Sequence, residues 1–197
     1  IVDDGTGPGP NPDDDRPVVP INDAGTVNEG ETASFVVSLS NPAEMDVQVQ
    51  LTLNLGDTEA GDLGALEYNT GSGWVTLPAD GLVTVPAGMT EFDVRVPSTS
   101  DDVYEGPENF SVDVTGVGAV QGTDNGTATI VDDGTVPGPN PDDDRPVVSI
   151  NDAGTVNEGE TASFIVSLST PSEMDVQVQL TLNAGDTEAG DLGALEY

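Results

Sequence analysis

Four segments of the chain alternate apolar and polar residues with a period of two, which predicts β-strands that each bury one face. The apolar side of each segment consists of Ala, Val, Leu and Phe, and the intervening residues are mostly polar. Such faces need a second layer of structure to cover them. The predicted inward faces are the alternate residues of 33–39, 47–53, 92–96 and 110–114.

Shorter apolar runs complete the predicted fold, and no stretch combines helical periodicity with helix caps. Roughly seven to nine short strands in about 120 residues are typical of an all-β, antiparallel Greek-key sandwich of immunoglobulin-like type. The chain has no cysteine and so lacks the Cys-Trp-Cys pattern of true immunoglobulin domains. We expect Trp74 to pack in the core or at an edge rather than to act as a binding platform. The short runs are 18–21, 74–77, 82–85 and 127–131.

The chain also repeats itself at an offset of 129 residues, since Ile1 recurs as Ile130. The match continues with few changes until Tyr68 and its counterpart Tyr197. Near-identical copies indicate recent duplication within a tandem array. A segment rich in Pro, Gly, Asn and Asp precedes each copy, and its prolines predict an extended linker.

The repeat divides the chain into five predicted parts. Residues 1–5 end a preceding repeat, residues 6–15 and 135–144 are linkers, and residues 16–134 form one complete sandwich. Residues 145–197 form the N-terminal half of the next repeat. A half sandwich exposes an apolar face and unpaired strand edges. We expect complementation by another chain or a longer parent molecule, and the alternative is a fragment defined only by its ends.

The net charge of the chain excludes some classes of binding partner. The chain has 37 acidic residues against three basic ones, Arg16, Arg95 and Arg145, with a formal net charge of −34. Nucleic acids and anionic membranes require Lys and Arg to replace their counterions, so neither is expected as a partner. No apolar run approaches the roughly 20 residues of a membrane span. Cations are therefore the expected partners.

The composition also argues against an enzyme. Without His, Lys or Cys the chain cannot build a Ser-His-Asp triad, a Schiff base or a thiol nucleophile. Paired carboxylates can hydrolyse glycosides, but aromatic residues, which form sugar platforms, are only 4% of the chain. We expect no catalytic activity.

The acidic residues gather in turns at the ends of predicted strands. Ca²⁺ accepts roughly six to eight oxygens in irregular geometry, so clustered carboxylates suit it better than Mg²⁺. The twelve-residue EF-hand pattern fails because Tyr68 occupies its last position. Isolated acids such as Asp80 and Asp124 are expected to be solvated turn residues, whereas adjacent pairs favour a metal. The four acidic turns are 28–31, 56–62, 101–108 and 131–134.

Five motifs together resemble the Calx-β fold, and more specifically the tandem extender repeats of giant RTX-type, LapA-like bacterial adhesins. The resemblance implies calcium held at one end of the sandwich by acidic residues of these motifs. The motifs are VNEG at 27–30, ASFVVSLS at 33–40, AGD at 60–62, DDVYEGPENF at 101–110 and GTATIVDDG at 126–134.

The resemblance implies a specific ligand set, and the partial repeat is expected to bind poorly unless another chain completes it. The linker acids 13–15 and 142–144, with Asp23 and Asp152, either hold calcium at the junction or merely keep the linker soluble. The implied ligands are Glu29, Asp62, Asp101, Asp102, Glu105, Glu108, Asp132 and Asp133, with Glu158 and Asp191 in the second copy and Asp3 and Asp4 in the preceding one.

The function implied by the resemblance is a calcium-rigidified extender repeat of a type I secreted, bacterial cell-surface adhesin. It would project ligand-binding modules for attachment or biofilm formation, with calcium and neighbouring repeats as its partners. The linkers between near-identical copies suit a structural role better than a sensor. The main alternative is a carbohydrate- or protein-binding module that presents residues 69–74.

Overall fold

The computed structural model describes residues 14–138, 142–188 and 190–197, and these residues form strands and loops without a helix. No helix that could span a membrane is found in this part of the chain. The strands are β1 Gly25–Asn28, β2 Thr32–Ser38, β3 Val47–Asn54, β4 Glu67–Asn69, β5 Val75–Thr76, β6 Leu82–Val85, β7 Glu91–Pro97, β8 Glu108–Val117, β9 Thr123–Val131, β10 Val148–Ile150 and β11 Val166–Leu168.

Strands β1 to β9 form two sheets, which confirms the predicted all-β sandwich. One sheet has the order β1-β9-β8-β3-β6 and the other has the order β2-β7-β4-β5. The chain passes from one sheet to the other after β1, β2, β3, β5, β6 and β7. Strands β10 and β11 form a separate antiparallel pair.

The core lies between the two sheets and is built from the alternating positions of the longer strands. Phe35 of β2 and Phe110 of β8 are buried, and their rings meet edge to face with centroids 6.2 Å apart. Each fully buried side chain of this size contributes about 1.5–3 kcal/mol. The four predicted inward faces all point into this core.

Two of the strand predictions need correction, and two strands were not predicted. Residues 18–21 form only isolated bridges, from Val18 to Gln121 and from Ile21 to Val37. Pro20 interrupts this segment and has no N–H with which to continue a ladder. The run 74–77 shortens to β5, while β1 and β4 were not predicted.

Strand β1 also departs from the antiparallel expectation, because it pairs in parallel with β9. Asn28 lies opposite Val131 in this pair. The two strands therefore run in the same direction and end at the same pole of the sandwich. The parallel pairing brings the residues that follow β1 beside those that follow β9.

The second copy of the repeat leaves its core positions exposed. Phe164 corresponds to Phe35 yet is 52% exposed, against 1% for Phe35. Residues 145–197 contain no counterpart of β8, whose Phe110 packs on Phe35 in the first copy. The two copies therefore have nearly the same sequence, but its apolar side chains are buried in the first copy and exposed in the second.

Replacement of Leu51 by Ala is expected to lower the free energy of unfolding by about 2–5 kcal/mol. Leu51 is 1% exposed, whereas its counterpart Leu180 is 39% exposed. Leu180→Ala is the matched control and is expected to cost less than about 0.5 kcal/mol. Urea denaturation followed by Trp74 fluorescence measures both values. Equal losses would contradict this description of the core.

Candidate metal centre

The acidic turns meet at the pole where β1, β7 and β9 end. Glu29 follows β1, and its N–H donates to the carbonyl oxygen of Val131 at 2.9 Å. Asp132 follows β9, so the parallel pair places it beside Glu29. Thr99, just after β7, donates its N–H to the carbonyl oxygen of Asp62 at 2.7 Å. Backbone pairing therefore sets these positions before any side chain interacts.

Three half-buried carboxylates form a first group, which we call the loop cluster: Asp62, Glu105 and Glu108. Each offers one oxygen, and these oxygens lie within 4.8 Å of one another. Asp132 is buried beside the group, where its Oδ2 accepts the N–H of Glu105 at 2.7 Å. Burial, then neighbouring negative charge, raises the pKa of Glu105 and of Glu108 to about 7.

A second group, which we call the junction cluster, consists of Glu29, Asp142 and Asp144. Its three carboxylate oxygens also lie within 4.8 Å of one another. Glu29 is only 6% exposed. Burial raises the pKa of Glu29 to about 7 and also raises that of Asp144, with neighbouring negative charge adding to both. Ser100 donates its hydroxyl to Asp142 at 2.7 Å.

Neither cluster contains a basic side chain. The three arginines of the chain pair with acids outside the clusters: Arg16 with Asp14, Arg95 with Glu67, and Arg145 with Asp143. Among the described residues, Oε2 of Glu29 and Oδ2 of Asp144 are buried without a hydrogen-bond partner. An unpartnered buried carboxylate oxygen is costly and requires an explanation. Both clusters offer oxygen ligands only, which fit a hard cation such as Ca²⁺.

Three further predicted ligands of the first copy, Asp101, Asp102 and Asp133, belong to neither cluster, and their role in metal binding stays a prediction. Asp133 accepts a hydrogen bond from the N–H of Thr135. Asp101 is exposed and accepts the N–H of Val103 at 2.7 Å, so its carboxylate closes a local turn. Asp102 is also exposed. Asp101 and Asp133 are thus held by their own loops, although the charge of Asp101 is felt at Glu29 and Glu105.

The ligands predicted outside the first copy do not form a site in the part of the chain that the structure describes. Glu158 and Asp191 are exposed and belong to neither cluster. Asp191 accepts the N–H of Glu188 at 3.1 Å, as its counterpart Asp62 accepts the N–H of Glu59. Asp3 and Asp4 lie outside the described residues. A role for these four acids in metal binding stays a prediction.

The junction cluster combines residues that the sequence did not bring together. The resemblance groups Glu29 with the loop acids, and the sequence leaves residues 142–144 open between a metal role and a solubilising role. Spacing gives no signal for this contact, because more than a hundred residues separate Glu29 from Asp142. A local indication is that three consecutive acids precede Arg145, because neighbouring side chains of an extended segment face opposite directions.

Trp74 is the one tryptophan of the chain. It packs at a sheet edge, which is one of the two positions that the sequence predicts. It precedes β5, the outer strand of its sheet, and is 39% exposed. The guanidinium of Arg95 lies 4.1 Å from the ring centroid. Arg95 is held in turn by Glu67 at 2.7 Å. One face of the indole ring is therefore already covered.

Comparison with known proteins identifies a related family. A family model described as the LapA domain matches residues 15–136. No curated protein matches the sequence significantly.

Three solved structures illustrate the structural similarity that a search finds. The apo-form Calx CBD1 domain is 19% identical, with a TM-score of 0.42 over 57% of this chain and 96% of that one. The CBD12 structure from CALX1.2 is 16% identical, with a TM-score of 0.45 over 79% of this chain and 70% of that one. The N-terminal domain of PorA is 14% identical, with a TM-score of 0.32 over 57% of this chain and 96% of that one. These values are too low to support a statement about function.

In the absence of divalent cations, the free energy of unfolding is expected to fall as the pH rises from 4.5 to about 7. Glu29, Glu105 and Glu108 have pKa values raised from 4.5 to about 7 in the folded protein. The folded protein holds protons that the unfolded chain releases in this interval. The stabilisation present below pH 4.5 is therefore lost as the pH passes through 7.

Chemical denaturation in chelator between about pH 5 and about pH 8 measures this slope. Hydrogen bonds lower the pKa of Asp23 and of Asp133, so these groups lose their stabilising effect only at lower pH. Asp23 and Asp133 therefore do not change the slope of stability against pH in the measured interval. A free energy of unfolding that stays constant or rises across this interval would contradict the conclusion that the negative charges at the pole are uncompensated.

Proposed function

Since this chain belongs to the LapA domain family, we propose that it is a calcium-rigidified structural extender of a bacterial cell-surface adhesin. The family makes it an adhesin-related β-sandwich. Its proposed role is to project ligand-binding modules from the cell for attachment or biofilm formation, after type I secretion. The observation that carries the proposal is the pair of carboxylate clusters, without a basic residue, at one pole of the sandwich.

Asp62, Glu105 and Glu108 would hold the cation at the loop cluster. A bound divalent cation supplies the positive charge that the cluster lacks. Asp132 orients the loop by accepting the N–H of Glu105, and Thr99 holds the backbone of Asp62. With a site affinity of about 10⁻⁴ M and calcium at about 10⁻² M, binding contributes about 2.7 kcal/mol.

Contacts between the two copies support a tandem arrangement. Tyr104 donates its N–H to the carbonyl oxygen of Pro171 at 3.0 Å, and Glu173 donates its N–H to the carbonyl oxygen of Tyr104 at 3.0 Å. The same loop carries Glu105. A Cβ on Gly106 would lie 3.0 Å from Sδ of Met174, so the second copy packs closely on this loop. Ordering of the loop by a cation would therefore also order the contact between copies.

An exposed methionine in the first copy fits the same arrangement. Met45 corresponds to Met174 and is 75% exposed. In an array, a preceding repeat would contact Met45 as the first copy contacts Met174, whose exposure is 51%. This supports the proposed division into a complete repeat at 16–134 and part of the next at 145–197, joined by the linker 135–144. The covering of Trp74 by Arg95 favours an extender over a carbohydrate-binding module.

Calcium is expected to raise the melting temperature of the chain by about 10 °C per occupied site relative to chelator. The cation removes the repulsion among buried carboxylates, and the midpoint of the effect is expected between about 10⁻⁵ and about 10⁻³ M. Magnesium, which demands regular octahedral geometry, is expected to act much more weakly. A thermal melt across a calcium titration measures the effect.

Glu108→Gln is expected to move the calcium midpoint to a concentration about tenfold higher or more, because it removes one charged ligand. Glu44→Gln is the matched control, since Glu44 is exposed and lies outside both clusters. Its midpoint should equal that of the unsubstituted protein. A melting temperature that does not respond to calcium would reduce the clusters to solvated turns and make a binding module the leading function.

A further inference from the structure

The second copy contacts the first copy through a short segment, residues 171–174, which we call the contact segment. Tyr104 of the first copy forms an isolated parallel bridge with Ser172. Tyr104 donates its N–H to the carbonyl oxygen of Pro171, and Glu173 donates its N–H to the carbonyl oxygen of Tyr104, both at 3.0 Å. These two hydrogen bonds hold the contact segment in one register, which determines where the next side chain lies.

That next side chain belongs to Met174, whose backbone is held by a local turn. The N–H of Met174 donates to Oγ of Ser172 at 3.0 Å, and the same hydroxyl donates to the carbonyl oxygen of Met174 at 2.9 Å. Serine hydroxyls commonly close local turns in this way. Ala43 stands at the corresponding position of the first copy, so Met45 lacks this hydroxyl. The turn fixes the backbone from which Met174 reaches the first copy.

The thioether of Met174 lies against Gly106 of the first copy. A Cβ on Gly106 would lie 3.0 Å from Sδ, 3.4 Å from Cε and 3.8 Å from Cγ of Met174, and these are its three nearest atoms. Gly106 is not among the glycines with a positive φ, so its backbone conformation does not itself require glycine. The missing side chain is therefore what allows the flexible methionine to approach the backbone of the loop.

Charge opposes this contact between the copies. Burial, and then neighbouring negative charge that includes Glu173, raises the pKa of Glu105 and of Glu108 to about 7. The contact segment thus brings a further acid to a pole that is already acidic. Two backbone hydrogen bonds and the packing of Met174 act against this repulsion. A chemical change at the thioether is therefore expected to shift the balance.

Met174 is also accessible to a small oxidant, because it is 51% exposed although it touches Gly106. The chain has three methionines and no cysteine, so thioethers are its only sulfur groups. Met45 is 75% exposed, and Met89 packs against the core. The three methionines therefore provide an internal comparison among a thioether at the contact, an exposed one and one at the core.

We propose that the contact of Met174 with Gly106 is an oxidation-sensitive latch between consecutive repeats, which hydrogen peroxide opens. A lone pair of the Met174 sulfur attacks one peroxide oxygen, so the S–O bond forms as the O–O bond breaks. The departing hydroxide takes the proton of the transferred oxygen and leaves as water. The sulfur is oxidised to the sulfoxide, and the peroxide is reduced. The sulfoxide is larger and polar, and it no longer packs on the glycine backbone.

Opening of the latch frees the second copy while the first sandwich stays folded, because Met174 is not part of the core between the two sheets. An extender exposed to peroxide would keep its folded sandwiches and lose the fixed direction between them. This inference rests on the proposed function only in treating residues 145–197 as the next repeat, and it does not depend on a bound cation.

Two variants of the whole chain isolate the effect of Met174. Met45→Leu together with Met89→Leu keeps Met174 as the only thioether, and Met174→Leu is the matched control that keeps the other two. Both are treated with hydrogen peroxide in about 10 mM calcium, and mass spectrometry confirms that their thioethers are oxidised. Residue-resolved hydrogen exchange then follows the amides of Tyr104 and Glu173, which donate across the contact.

Oxidation is expected to speed the exchange of both amides about tenfold or more in the variant that keeps Met174. Reduction by methionine sulfoxide reductases of both epimer specificities should restore slow exchange. The Met174→Leu control is expected to exchange slowly before and after peroxide, because leucine preserves the apolar contact. Met174→Gln, which places a polar amide where the sulfoxide would lie, is expected to exchange fast without peroxide.

Slow exchange of Tyr104 and Glu173 after complete oxidation of Met174 would overturn the latch, and so would equal acceleration in the Met174→Leu control. Fast exchange of both amides before any oxidation would overturn it too, since the contact would then not hold. The proposed function is judged by the response of the melting temperature to calcium, which none of these exchange rates determines. The two proposals can therefore fail separately.

Discussion

The repulsion among carboxylates at one pole is the constraint on which the proposed role of this molecule depends. Apolar packing between the sheets and the parallel pairing of β1 with β9 determine where the acidic loops lie. The core therefore forces Glu29, Asp132 and their neighbours together whether or not their charges are compensated. Because the three arginines are paired elsewhere, the protein itself cannot neutralise this pole.

Residues at this pole affect both the stability of the sandwich and its contact with the next repeat. The loop that carries Glu105 also carries Tyr104, whose backbone contacts Pro171 and Glu173 of the second copy. The linker that leads to the second copy passes over Glu29. A cation that stabilises the sandwich would thus also restrict the next repeat. In the proposed extender, stability and direction are coupled, because the residues that contribute to each lie at the same pole.

Sequence alternation predicted the strands whose burial alternates, and missed those whose burial does not. Strands β2, β3, β7 and β8 bury every second residue, whereas β1 buries only its last residue and β4 buries none fully. Local motifs likewise singled out Asp62, Glu105 and Glu108, which lie together in the loop cluster, and their role as ligands stays a prediction. They could not reveal that Asp101 and Asp133 bond to their own loops. The contact of Asp142 with Glu29 joins residues more than a hundred positions apart, and no local motif indicates it.

Residue-resolved hydrogen exchange in chelator and in about 10 mM calcium tests the central claim most directly. The informative amides are those of Glu105 and Asp144, which donate to Asp132 at the pole, compared with the core amides of β3 and β8. A pole held apart by repulsion predicts fast exchange of Glu105 and Asp144 in chelator, slowed by calcium, with the core protected in both conditions. Equal exchange rates at the pole with and without calcium would contradict it.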